Sequence, residues 1–196
     1  MFRFFFLVSH CRICYDGIRN HTKGPTSRAT KRSKFWACFF LVASIVTAAL
    51  IFWFSAQKGA ASQALSDPLT MRLVRILRPD YKKMSSVARV NYRETLSNII
   101  RKNAHFCEFM LLGFNLMGAM RFGFPRLSDG RCRLGAMAVA VTYAASDELH
   151  QLFVSERAAR LTDVLIDSAG SLTGTLVMTL CLTILLRLQQ LRASRH

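Results

Sequence analysis

The sequence predicts an all-α integral membrane bundle of four transmembrane helices, with a short amphipathic interfacial helix in the first loop. Three observations carry that prediction. The run 35–56 contains no charged residue, and about 20 apolar residues are enough for a helix to cross ~30 Å of hydrocarbon. Three more apolar runs follow at 104–120, 134–154 and 163–186, each with basic residues at its borders. Hydrophobic residues make up 52% of the 196-residue chain. That balance belongs to the membrane class, and the length belongs to one domain.

Residues 1–34 read as a basic, poorly ordered extension. Within them Phe2–Val8 is apolar but broken by Arg3, too short for a cleavable signal, so the run 35–56 is expected to remain as a signal anchor. Cys11 and Cys14 form a CxxC with His10 and His21 nearby, yet no second pair completes a zinc set. The transmembrane domain is expected over 35–187, and 188–196 is a basic tail.

In the first loop, Leu69, Leu73, Ile76 and Leu77 share one helical face, and Arg72, Arg75 and Arg78 the other, before Pro79 ends the helix. Such a helix can lie among lipid headgroups or pack on the bundle. The second span carries His105 and Glu108 in its first turns. The third is apolar to Ser146 and then turns polar, while the fourth is apolar beyond Asp167. Buried helices of a soluble domain would also be apolar, but the number, length and basic flanks of these runs favour spans.

The net charge of +16 does not point to nucleic acid, because the basic residues form no stripe with interleaved aromatics. They lie between the apolar runs, where anionic headgroups attract each one by ~1 kcal/mol. Basic residues are nearly even on the two sides. The block Lys31, Arg32 and Lys34 abuts the first span and favours termini in the cytoplasm. The expected location is therefore the cytoplasmic membrane, multi-pass.

Threading four spans brings the end of the first, the start of the second, the end of the third and the start of the fourth to one face, expected to be the outer one. On the second span Asn98, Arg101, His105, Glu108, Leu112 and Asn115 form one stripe. On the third, Tyr143, Asp147, His150 and Val154 align, with Gln151 at the margin and Glu148 to one side. On the fourth, Asp163, Asp167, Gly170 and Gly174 align, the two glycines forming a GxxxG pattern that permits close helix approach. Ionisable groups at the edge of hydrocarbon are costly and face the bundle interior. Ser55, Gln57 and Arg157 can join them.

Three uses fit this cluster. It can be a structural ion network that pins the helices. It can hold a polar headgroup, with Ser55, Gln57, Arg101, Gln151, Arg157 and Asp163 binding, and with His105, Glu108, Asp147, His150 and Asp167 as candidate catalytic acids and bases. The same five residues offer metal-ligand chemistry, but their spacing fits no standard metal motif, and no cofactor can be named.

The sequence resembles the VanZ-like family of small bacterial membrane proteins. The matching pieces are Phe54-Ser55-Ala56-Gln57, Arg101-Lys102-Asn103-Ala104-His105-Phe106 with Leu112-Gly113, the run from Ser146 to Val154, and the run from Asp163 to Gly170. Where that family often carries a Pro-Gly-Arg turn, Ser155-Glu156-Arg157-Ala158-Ala159 keeps only the arginine. The resemblance implies a multi-pass protein of the bacterial cell envelope, named for a phenotype of resistance to the glycopeptide teicoplanin. It implies no settled activity. Two functions are open: chemistry on, or binding of, an anionic membrane lipid or lipid-linked glycan of the envelope, and non-catalytic scaffolding or shielding.

Overall fold

The computed structural model describes residues 27–57, 59–154 and 160–194, so the CxxC at Cys11 and Cys14 and the candidate Arg157 lie outside the described residues. Among the described residues the chain is all helical, with no strand: α1 (Ser27–Ser55), α2 (Gly59–Leu77), a 3-10 turn (Tyr81–Lys83), α3 (Ser86–Gly123), α4 (Asp129–Gln151) and α5 (Leu161–Ala193).

Two of these helices are long and apolar enough to cross a membrane, over Ser33–Ser55 and Leu161–Arg192. α3 and α4 are not, because Arg101, Lys102, His105 and Glu108 interrupt the first and Arg131, Arg133, Asp147 and Glu148 the second. The four-span expectation is thus met for two helices by composition alone. Only 22% and 33% of the two apolar windows are buried, whereas the core helix of a soluble protein would be mostly covered. Leu41, Val42, Ile45, Val46 and Trp53 stand exposed on α1, and Leu165, Leu172, Leu176, Leu180 and Ile184 on α5. Contiguous apolar surface of this kind marks a membrane or partner contact.

Helix limits differ from the sequence reading where polar residues extend an apolar run. α1 starts at Ser27, and Ser33 Oγ donates to the Phe122 carbonyl at 2.7 Å. α3 begins at Ser86, where the Ser85 hydroxyl accepts from the Ala88 amide at 3.3 Å as an N-cap. With 38 residues α3 is about 57 Å long, more than a bilayer core needs. α4 is capped by Ser128, with Asp129 in its first turn, and stops at Gln151, short of the expected Val154.

The expected amphipathic helix is the second half of α2. It packs on α3 and turns Thr70 and Val74 inward, leaving Leu69, Ile76 and Leu77 exposed beside Arg72, Arg75 and Arg78. The pair Arg93–Asp67 and the Arg78 guanidinium over the Tyr92 ring tie α2 and its exit to the start of α3.

α3 and α5 form the most extensive pairing, and α1 lies along α3. A side chain at Gly170 or Gly174 would run into the backbone of Phe106 or Met110, and one at Gly113 into the backbone of Ser171. The GxxxG pattern therefore marks a real close crossing, sealed by Ser171 Oγ donating to the Phe109 carbonyl at 3.3 Å. α4 packs through a stripe of small residues, Cys132, Ala136, Ala140 and Ala144, all fully buried.

The apolar core has two parts. Phe40, Met117, Phe122, Met178 and Leu182 fill one end, where Phe40 stacks on Phe122 with ring centroids 5.7 Å apart. Ile51, Phe109, Leu112 and Ala144 fill the other and form the layer beneath the polar cluster.

Candidate functional site

The small-residue stripe of α4 continues, one turn on, into Asp147, Glu148 and Gln151, all buried. The same packing that hides the alanines thus aims these polar side chains inward. On α3 the stripe that holds Phe109 and Leu112 continues toward the N-terminus into His105, Lys102 and Arg101. On α5 the glycine crossing continues into Asp167 and Asp163. Three charged helix segments consequently meet at one end of the bundle.

They enclose an open cavity of about 350 Å³. Asn98, Arg101, Lys102 and His105 line it from α3, Glu148 and Gln151 from α4, and Asp163, Ile166 and Asp167 from α5, with Arg160 at the α5 N-cap. Of the residues the sequence singled out, Arg101, His105, Gln151, Asp163 and Asp167 are brought together here.

Depth separates the charges. Arg160 is exposed, and the Lys102 and Asp163 side chains retain 40% and 30% of their surface, whereas Asp167 retains 1%. Cations therefore sit at the rim and a carboxylate at the floor. At the rim Lys102 Nζ pairs with Asp163 Oδ1 at 3.0 Å, and Arg101 donates to Asn98 Oδ1 at 2.6 Å. The Arg160 amide donates to Glu148 Oε2 at 2.9 Å and so closes α4 against the start of α5. On the floor Asp167 Oδ1 is buried without a hydrogen-bond partner.

Asp147 stands behind this wall. Its Oδ2 accepts from Ser55 Oγ at 2.8 Å and from Gln151 Nε2 at 3.1 Å, so it couples the end of α1 to a cavity residue, while its Oδ1 is buried and unpartnered. Glu108 lies beside the cavity lining, its Oε2 4.0 Å from His105 Nδ1.

The structure revises the expected face of α4. Tyr143 and His150 point to α1: the Tyr143 hydroxyl donates to the Ala48 carbonyl at 2.7 Å, and the His150 ring lies against Phe52 with centroids 4.6 Å apart. Glu148, expected to one side, lines the cavity in place of His150. The signal that would have found this is the Cys132–Ala136–Ala140–Ala144 series, whose next turns are Asp147, Glu148 and Gln151. Gln57 is part-buried just past α1 and does not line the cavity. Lys102, part of the matched run from Arg101 to Phe106, and Arg160, which lies on none of the polar stripes, also line the cavity.

Among the described residues no three His, Cys, Asp or Glu side chains are grouped so as to hold a metal ion. The five candidate acids and bases divide between the cavity (His105, Asp167), its margin (Glu108), the layer behind it (Asp147) and the α1 face (His150).

Among the described residues, the all-helical arrangement with long lipid-compatible faces and a charged cavity at one end fits a membrane protein. The family model described as VanZ/LLP1 matches residues 40–183, and the chain belongs to this VanZ-like family. That span runs from within α1 to within α5 and contains every cavity residue. No curated protein and no solved structure matches the chain.

Proposed function

We propose that this VanZ-like protein is a multi-pass protein of the bacterial cytoplasmic membrane that binds the anionic headgroup of an envelope lipid or lipid-linked glycan in the α3–α4–α5 cavity. α1, α3, α4 and α5 cross the bilayer, with the termini in the cytoplasm and the cavity at the outer face. The observation that carries this reading is the layering of the cavity: Arg101, Lys102 and Arg160 at an open rim, and buried polar groups below. A network that served only to pin helices would leave no open volume between its charges.

Arg101 and Arg160 provide the planar, multi-donor groups that suit phosphate or carboxylate oxygens. His105 is the cavity group able to move a proton near neutral pH. Chemistry at the headgroup would therefore run through His105, with Glu148 and Asp167 in the facing walls of the cavity. Asp147 positions Gln151 and is assigned no contact with the ligand. If the bound species is the lipid-linked target of glycopeptides, shielding it would change susceptibility to them.

The alternative is a non-catalytic scaffold whose polar cluster is structural. It is favoured by Lys102–Asp163 and by Ser55–Asp147, which join different helices. Single alanine substitutions at Arg101, His105, Asp147 and Asp167 separate the two. The headgroup reading expects Arg101→Ala and His105→Ala to fold, and to lose retention of co-purified phosphate-bearing lipid by native mass spectrometry. Loss of folded protein in all four supports the scaffold.

A further inference from the structure

The polarity of the cavity says more about the occupant than a basic rim alone would. Asp167 is 1% exposed, lines the floor, and leaves Oδ1 without a partner. Asp147, 3% exposed, leaves its own Oδ1 unpartnered one layer behind. Among the described residues neither carboxylate forms an ion pair, since the lysine at the mouth is taken by Asp163. A buried carboxylate in that position is held by a proton or by a cation brought from outside.

We propose that the occupant is zwitterionic: its phosphate lies between Arg101, Lys102 and Arg160 at the rim, and a primary ammonium reaches the Asp167 carboxylate on the floor. The inference deepens the headgroup reading above and rests on it. One helical turn of α5, about 6 Å, separates Asp163, at the level of Lys102, from Asp167. A two-carbon linker between phosphate and amine is matched to that step. An ammonium supplies three donors and a full charge, which a neutral hydroxyl does not. The shared chemistry is an aminoalkyl phosphate, carried by a lipid or free in solution.

The test uses the full chain in detergent and native mass spectrometry titrations with phosphatidylethanolamine, N-acetylated phosphatidylethanolamine, phosphatidylglycerol and soluble glycerophosphoethanolamine. The expected result is about tenfold tighter binding of phosphatidylethanolamine than of its N-acetylated form or of phosphatidylglycerol. Asp167→Asn should bring phosphatidylethanolamine binding down to that of its N-acetylated form, and Arg101→Ala should weaken all three lipids alike. If Asp167→Asn does not fold, the contrast among lipids on the unaltered chain decides and needs no variant. Glycerophosphoethanolamine binding as tightly as the lipid would keep the ammonium site and identify a soluble occupant. Equal binding of the three lipids, still dependent on Arg101, would overturn the ammonium site and leave the headgroup reading standing. No binding that responds to Arg101→Ala would overturn both.

Discussion

Ser55 Oγ donates to Asp147 Oδ2 at 2.8 Å, joining the last residue of α1 to the end of α4 across 92 positions of sequence. Both side chains are buried, and Gln151 Nε2 completes the arrangement on the same oxygen at 3.1 Å. Few other contacts join α1 to α4; Tyr143 to Ala48 and His150 against Phe52 are the main ones. The Asp147 carboxylate is therefore held by a hydroxyl from a different helix.

Ser55→Ala should lower stability by about 1.5–3 kcal/mol, the range for a hydrogen bond to a charged group. Thermal unfolding in detergent, run as a double-mutant cycle with Asp147→Ala, is the check. A coupling energy near zero would show that the two side chains do not depend on one another.

The α3–α5 crossing tolerates no added carbon at Gly174, where a Cβ would meet the Met110 backbone. Gly174→Ala should cost about 3 kcal/mol or more, the upper range for overpacking. Gly130→Ala, with nothing within 4 Å of the new Cβ, should instead gain up to about 1 kcal/mol from helix propensity. Folded yield on size-exclusion chromatography measures both. Equal yields for the two variants would contradict the close crossing.

His105 and His150 should behave differently. His105 lines the cavity, and His150 lies against Phe52 on the α1 side. His150→Phe keeps the ring contact and should retain lipid binding, while His105→Ala should weaken it several-fold; lipid titration decides. Loss of binding only in His150→Phe would return the site to the α4 face expected from the sequence.

Single cysteines placed at Asp80 and at Gly130 in a cysteine-free chain test the threading, since these positions lie beyond opposite ends of the long α3. A membrane-impermeant maleimide applied to intact cells should label position 80 and spare position 130 until the membrane is opened. The reverse pattern would invert the orientation, and labelling of both would end the four-span threading.

Much of this architecture was legible in the chain. α1 shows itself because no charge interrupts 35–56, and the α5 stripe from Asp163 to Gly174 falls where helical periodicity puts it. The polar start of α3 was not legible. Residues 86–103 include Arg89, Arg93, Glu94, Arg101 and Lys102 and have no apolar period; α2, docked through Thr70 and Val74 and tied by Arg93–Asp67, supplies their support. The rotation of α4 was missed for another reason. A polar stripe at 100° per residue identifies adjacent faces of a helix but does not choose between them. The choice is made by the close packing of Cys132, Ala136, Ala140 and Ala144, small residues that a search for charged side chains passes over.

The most direct test is a cryo-electron microscopy map of the protein in nanodiscs made from native membrane lipid. Headgroup density is expected between Arg101, Gln151, Arg160 and Asp167, at the depth of one leaflet's phosphates. A cavity holding no such density, or one lying at the middle of the bilayer, would contradict the proposed function.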